Sequence, residues 1–502
     1  MKTQYSALAI IGATLFSISL NAQNAVSSAN QNKSRYKVID LGTLGGPISY
    51  GSVNGDGSRL LNDAGAVASY ADLPAPDPNA SFFCYDADCF QAHASLWKHG
   101  IITDLGALPE NNNSAAGSIN SRGWATGQSQ SSTIDPFFGI PEFHAVLWKD
   151  DGQTIDLGTL GAGTESLGIT VNDAGQVIGF STVSFDPDPV GFGGVPTHTF
   201  IWQNGRKLDI GTLGGNDTFP FVSCSHPPEG MVWGGSTTST TPNPDTGVPT
   251  FDPFLWDHGK MIDLGTLGGT NGFAQCANQK RDVIGMSNLA GDATFHAFFW
   301  RVGVMTDLGT LGGDDSEAIW FNDQGVIAGS ADLPTPGIHD AVRWKDGQIL
   351  DLGTVDGDAC SRGRAINTRG QIVGLSSDCR NALHAFLWEE GGPMLDLNAL
   401  IPPGSGLQLT NAIDINDRGE ILAKSVPLGV TPIDDEDLGH LVLLVPCDEG
   451  QGGCVNVVTA DTNLGPTSFT HQISQTSSGT NAVRAWRQRF AAQSRPTAGS
   501  EK

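Results

Sequence analysis

Positive charge is scarce in this chain. Its 502 residues hold 27 Lys and Arg against 53 Asp and Glu, a net charge of −26. Phosphate binding needs a basic face, so nucleic acid is not an expected partner. Long apolar runs are missing as well. Beyond the first residues no segment approaches the ~20 apolar residues of a membrane span. The 3.6-residue periodicity of helical repeats is absent. G-x-S-x-G, H-E-x-x-H and the P-loop are also absent, which leaves covalent catalysis, zinc proteolysis and nucleotide hydrolysis without sequence support. Carboxylate pairs for glycoside cleavage escape this test, because distant segments can bring them together.

Glycine is what the chain has in quantity, at 65 residues. That suits many short strands joined by tight turns. One phrase recurs. DLGTLGG stands at 40–46, 263–269 and 307–313, with close copies at 156–162 (DLGTLGA) and 209–215 (DIGTLGG). Worn copies begin at 104, 351 and 396. A fixed internal period marks an array of one supersecondary unit. Residues repeated in every unit serve the scaffold, so chemistry is to be sought where units differ.

The unit from 316 to 357 is the clearest. EAIWFNDQG (317–325) leads to VIAGSADL, a short loop, DAVRWKDG and QILDLGT. This reads as four strands, with Asn-Asp-x-Gly and Lys-Asp-Gly as hairpin turns chosen because Asn and Gly tolerate positive φ. The first turn recurs at 62, 120, 172, 367 and 416, is altered at 278–281 and is lost at 225–230. The third strand ends in Trp97, Trp148, Trp202, Trp256, Trp300, Trp344 and Trp388. Both faces of HAFFW (296–300) are mostly apolar, so each small sheet needs neighbours on both sides. Radially stacked four-stranded sheets satisfy that need.

The ends then complete each other. The last unit (407–446) has three strands and no DLGT strand after them, while YKVIDLGTLGG (36–46) is a fourth strand without the other three. Joined in one sheet they close a ring and remove its exposed edges. The expected fold is all-β, a β-propeller of eight four-stranded blades over 35–446. A signal peptide is expected at 1–22, a linker at 23–34 and a low-complexity tail at 447–502, in which AVRAWRQRFAAQ (482–493) has the pattern of a short basic helix. Export is expected, with a monomer as the working state.

HAFFW (296–300) and HAFLW (384–388), followed by DLGTLGG or DLNAL, resemble the HAF repeat family of predicted extracellular bacterial repeat proteins. The likeness spans roughly 35–446. It implies a repeat fold outside the cytoplasm, whether secreted, periplasmic or on the cell surface, and no activity, cofactor or catalytic residue. DPFLW (252–256) and DAVRW (340–344) depart from the pattern.

Eight cysteines fit an oxidising compartment. Sequence proximity pairs Cys84 with Cys89, Cys360 with Cys379, and Cys447 with Cys454. Cys224 and Cys276 occupy matching positions of consecutive units and read either as a staple between them or as two buried thiols.

The histidines that open the third strand (His93, His144, His198, His296, His384 and His440), with Asp252 and Asp340 in their place elsewhere, form a tempting ring. Adjacent sheets pack ~10 Å apart, too far for one ion to gather them. Each is expected to bond the Asp-Leu-Gly strand of its own unit, and the DLGT aspartates are expected to fix turns.

Ligand binding is assigned to the second–third loops, which are long in units one to four and share one face: 72–91, 131–143, 181–197 and 236–253. Candidate contacts are Phe82, Phe83, Phe137, Phe138 and Phe185, with Asp86, Asp88, Asp135, Asp186 and Asp188 as acceptors around them; the competing view is that the phenylalanines pin the loops. Calcium is a possible ligand at Asp434, Asp435 and Asp437, and more weakly at 86–89 and 186–189, although no EF-hand loop is matched. The functional expectation is a secreted, non-catalytic propeller holding a glycan or protein. A glycan-active hydrolase or lyase and an envelope-associated structural protein are the alternatives.

Overall fold

The computed structural model describes residues 34–51, 59–80, 84–86, 88–108, 113–136, 139–186, 188, 194–221, 224, 227–244, 246–430, 439–447 and 454. The expected signal peptide and the basic segment 482–493 lie outside these residues.

Strand after strand pairs antiparallel with its successor, as alternating apolar runs joined by tight turns require. Unit six shows the pattern: Ser316–Phe321, Ile327–Asp332, His339–Lys345 and Gln348–Asp351 form one four-stranded sheet in chain order. Its last hairpin turns through Asp346 and Gly347 with φ of 52° and 75°, the positive values that a two-residue turn matched to strand twist demands. The first hairpin works differently. Asn322 is not among the positive-φ residues; its Oδ1 instead accepts the N–H groups of Gln324 and Val326 at 3.1 and 3.0 Å. Asn is there for its side chain, and Gly325 takes the positive φ.

Among the described residues the sheets are six of four strands and one of eight. The eight-stranded sheet is units four and five joined by a single parallel bridge, Phe251 with Asn271. Counted by ladder there are thus seven sheets; counted by the four-strand unit there are eight. The architecture is a β-propeller. Six of the eight first strands carry an irregularity, as at Ala318/Trp320, which drives a carbonyl towards the second strand. A Cβ on Gly329 would collide with the Glu317 carbonyl, which explains the glycine in VIAGS.

The expected exchange of strands between the chain ends is present. Tyr36–Asp40 pairs antiparallel with His440–Pro446, with Val38 opposite Leu444 and Ile39 opposite Leu443. The sheet that results also touches unit one: Asp414 Oδ2 accepts the N–H groups of Leu60 and Leu61 at 3.0 and 2.9 Å. The seven strand-ending tryptophans are all buried between units.

Two belts tie units side by side. On the tight-turn face, the turn asparagines pass a bond from unit to unit. Asn62 Nδ2 donates to the Asn120 carbonyl, Asn120 to Asn172, Asn322 to Asn367 and Asn367 to Asn416, all at 3.0–3.1 Å. Asn416 donates to the Asn62 carbonyl at 3.1 Å, joining the last unit to the first. Unit four lacks this Asn, and Asn278 of unit five turns its amide to its own Asp282.

On the other face the DLGTLGG connectors do the tying. Asp fixes the turn by accepting the Gly N–H two residues on, as at Gly158, Gly211 and Gly309, at 2.7–2.8 Å. The Leu N–H then reaches a Ser hydroxyl on the following unit, as Leu160 does to Ser181 and Leu213 to Ser236. All four expected disulfides form, and Cys224–Cys276 is the staple between units four and five rather than two thiols. It stands where the Asn belt is broken.

A buried carbonyl left without its donor costs about 1–3 kcal/mol. Asn416→Ala removes both the turn acceptor and the bond to Asn62, whereas Asn278→Ala removes only contacts within its own turn. Thermal unfolding of the two variants is expected to show Asn416→Ala the more destabilising by about 1 kcal/mol.

Candidate functional site

The face opposite the Asn belt carries the connectors and the second–third loops, and its recurring chemistry is a His–Asp pair. His93, His144, His198 and His296 place Nδ1 2.8–3.0 Å from Asp104, Asp156, Asp209 and Asp307 of the same unit. His440 meets Asp40 at 3.1 Å across the exchanged strand. Burial raises Asp156, but the hydrogen bond and charge of His144 outweigh it and bring the carboxyl below its usual range. His440 moves the other way: burial lowers it, and Asp40 raises it further. These are hydrogen-bonded His–Asp pairs within units, as the sequence predicts.

His384 departs from the expectation. It bonds Asp358 of the preceding connector at 2.8 Å, not Asp396. Asp396 instead caps the 3-10 turn Leu397–Ala399, accepting from Asn398 N. DLNAL lacks the glycine that opens the other connectors, so its chain coils tightly here.

In units four and six the histidine is replaced by acid, and two carboxyls meet. Burial, then the charge and hydrogen bond of Asp263, pushes Asp252 up to about 7. Burial and Asp351 push Asp340 up to about 6. A further pair lies under the first long loop. Asp72, fully buried, is pushed up to about 9 by burial and then by Asp88, with Asp86 nearby. Its Oδ2 accepts the Ile48 N–H at 2.9 Å, while Oδ1 has no donor.

The sequence-predicted residues divide sharply. Asp86 and Asp88 are half-buried and gather around Asp72, which the sequence reading did not single out. Asp135 and Asp188 do not ring an open surface; they are 1% and 7% exposed. Asp135 Oδ2 accepts the Thr164 hydroxyl at 2.5 Å, and Asp188 Oδ2 accepts the Asn216 amide at 2.8 Å, so both brace a loop against the next unit. Phe185 and Asp186 stand exposed. Phe82, Phe83, Phe137, Phe138, Asp434, Asp435 and Asp437 lie outside the described residues. Among the described residues, no group of three or more His, Cys, Asp or Glu is placed to hold a metal ion.

Other side chains pin the loops. Tyr85 is 2% exposed and packs edge-on to Tyr70, which stacks on Tyr50 at 4.7 Å. Ile140, Phe143 and Phe251 are buried as well. Sequence reasoning missed Phe143 and Phe251 because they belong to strand ends that it assigned to loops. What stays outside is aliphatic and aromatic: Ile134, Phe185 and Val248 are 55%, 44% and 43% exposed on the loops of units two, three and four.

No protein-family model matches the chain, and no curated protein matches it in sequence. Among solved structures it is similar to dipeptidyl peptidase 4 of Porphyromonas gingivalis, at 10% identity and a TM-score of 0.43 over 76% of this chain and 60% of that one. It is similar to the acylaminoacyl peptidase of Pyrococcus horikoshii, at 10% identity and a TM-score of 0.39 over 76% of this chain and 58% of that one. The β-propeller domain of the Trilobed protease from Pyrococcus furiosus gives 10% identity and a TM-score of 0.37 over 72% and 97%. The chain therefore spans less than two thirds of the two peptidases' own length. No helix among the described residues is long and apolar enough to cross a membrane.

An aspartic acid raised by folding stabilises the fold below its ordinary value of about 4, and that contribution is lost as the pH climbs through its folded value. For Asp252 the window runs from about 4 to about 7. Asp252→Asn is expected to flatten the fall of the thermal midpoint across that window and to leave the protein more heat-stable than wild type above it.

Proposed function

We propose that this chain is a secreted, non-catalytic binding propeller that holds an extracellular polypeptide on its long-loop face. The carrying observation is the exposure of Ile134, Phe185 and Val248 on three consecutive loops of one face, above loops already anchored by buried Tyr85, Phe143 and Phe251. Apolar side chains that anchor nothing, held on a rigid scaffold, suit contact with a partner. Two of the three are aliphatic. A polypeptide buries such groups, whereas sugar rings are gripped mainly by aromatic faces. Exposed Asp186 and the net charge of −26 favour a partner segment bearing Lys or Arg.

A hydrolase needs carboxyls that a substrate can reach. Of the described carboxyl pairs, Asp135 with Glu165 is 1% and 4% exposed, while Asp252 with Asp263 and Asp340 with Asp351 each keep one member exposed, so the non-catalytic reading rests on the apolar loop residues rather than on the carboxyls. Four disulfides support a location outside the cytoplasm, secreted, periplasmic or at the bacterial surface. Membership of the HAF repeat family belongs to the same reading.

The test is a screen of the mature protein against a basic-peptide library and a glycan array, repeated with the combined Ile134→Ser, Phe185→Ser and Val248→Ser variant. Peptide binding is expected, weakened about tenfold or more by the combined substitution. Leu350→Ser, exposed on an outer strand, is the control and leaves binding unchanged. Glycan hits without peptide hits, or binding indifferent to the combined variant, overturn the proposal.

A further inference from the structure

Three consecutive junctions between units place a loop aspartate against the residue that leads into the next sheet. At the first, Asp77 Oδ2 accepts the Asn113 amide at 3.1 Å. At the third, Asp188 Oδ2 accepts the Asn216 amide at 2.8 Å. Both acids have a true N–H donor. At the middle junction Asp135 meets Glu165, another acid, within hydrogen-bond reach.

Asn113 and Glu165 occupy the same place in their units. Each stands just before the serine that opens the first strand, Ser114 and Ser166. Each accepts an N–H from the start of the preceding third strand: Ala92 N to Asn113 Oδ1 at 2.9 Å, and Phe143 N to Glu165 Oε2 at 2.8 Å. The amide of Asn113 is left to serve Asp77 and Gln130. Glu165 has only its second oxygen, Oε1, which is buried and meets no donor.

Among the described residues, none that acts on Glu165 carries positive charge. Asp135 and Glu142 are the charged neighbours of Glu165, and Thr182 and Thr164 flank it with neutral groups. His144 lies beyond, 3.5 Å from Glu142 and 3.0 Å from Asp156, and Lys207 acts on Asp156 rather than on Glu165. Two facing carboxylates with no cation between them repel strongly at this burial.

We propose that Glu165 keeps its proton in the folded protein and donates it to Asp135, so that one shared proton latches the 131–143 loop to unit three and the loop loosens as the pH rises. The proton does at this junction what the Asn113 amide does at the first and what Asn216, one residue ahead of Asp217 in the corresponding place, does at the third. Burial raises Glu165 well above its ordinary range, and the nearby Asp135 and Glu142 raise it further. The native state then holds one proton that the opened loop releases, so the latch is fully made below the ordinary Glu value and weakens as the pH climbs towards the folded one. The latch concerns the loop itself and stands whether or not that loop binds a partner.

Hydrogen exchange on the mature protein between about pH 5 and about pH 9 reads it directly. The probes are the Gly139 amide, bonded to the Asp135 carbonyl at 2.8 Å, and the Asp135 amide, bonded to Ile140 at 2.8 Å. Protection factors, which remove the intrinsic effect of pH on exchange, are expected to fall up to about tenfold per pH unit until Glu165 ionises, then level. The slope is expected to vanish in Glu165→Gln, whose amide copies Asn113, and in Asp135→Asn, which supplies the donor from the other side. Infrared difference spectra of the wild type are expected to show a protonated-carboxyl component, separate from those of Asp72 and Asp252, that Glu165→Gln removes. Protection that is flat with pH in the wild type, or equally sloped in both variants, overturns the proposal. So does restoration of protection at high pH by millimolar calcium, which would make the latch a cation.

Discussion

A ring of sheets exists only if its last member can hold its first, and here that depends on five residues near the amino terminus. Tyr36–Asp40 fills the empty edge of the sheet whose other strands come from 407–446. Without it, that sheet would keep a naked edge beside the buried faces of its neighbours. Every unit has apolar side chains on both sides, so none is stable with a missing neighbour. The exchanged strand also brings Asp40 to His440, so unit eight acquires, from opposite ends of the chain, the His–Asp pair of units one, two, three and five.

Around this closure the repeated residues are almost wholly consumed by the scaffold. Asparagines link the units on one face, and the DLGTLGG connectors link them on the other. The two belts use different chemistry for the same physical end, the satisfaction of buried backbone groups between sheets that share no continuous ladder. The Asn belt lapses from unit three to unit six, and within that stretch a disulfide and a parallel bridge join units four and five.

The repeat also serves as an internal comparison. One scaffold position holds His in most units and Asp in two, and another holds Asn113 in one unit and Glu165 in the next. The surroundings change little, so each difference isolates the effect of exchanging a donor for an acid. Asp217 and Asp315 hold the Asn113 place in two further units and accept the same third-strand N–H, so it is the second acid facing Glu165 and Asp252 that calls for a proton there. This makes the long-loop face sensitive to pH, while the Asn belt on the opposite face has no titrating donor.

The order of the strands, the strand exchange and the His–Asp pairing were all legible in the chain, because local turn chemistry and period-two alternation repeat often enough to be read. The short-range disulfides followed from spacing; the Cys224–Cys276 staple needed the side-by-side position of two units. His384 could not be assigned correctly, since its partner depends on how DLNAL coils. Loop residues were the least legible. Asp135 and Asp188 looked like surface acceptors in a loop-rich stretch, yet both turn inward, because only the packing of adjacent units reveals which loop groups lie between sheets. Sequence alone determined the unit and its repetition, which are local matters of hairpin geometry and side-chain alternation. Tertiary structure alone decided which polar groups meet across a junction, because burial and partner choice arise only when two units, tens of residues apart, are pressed together.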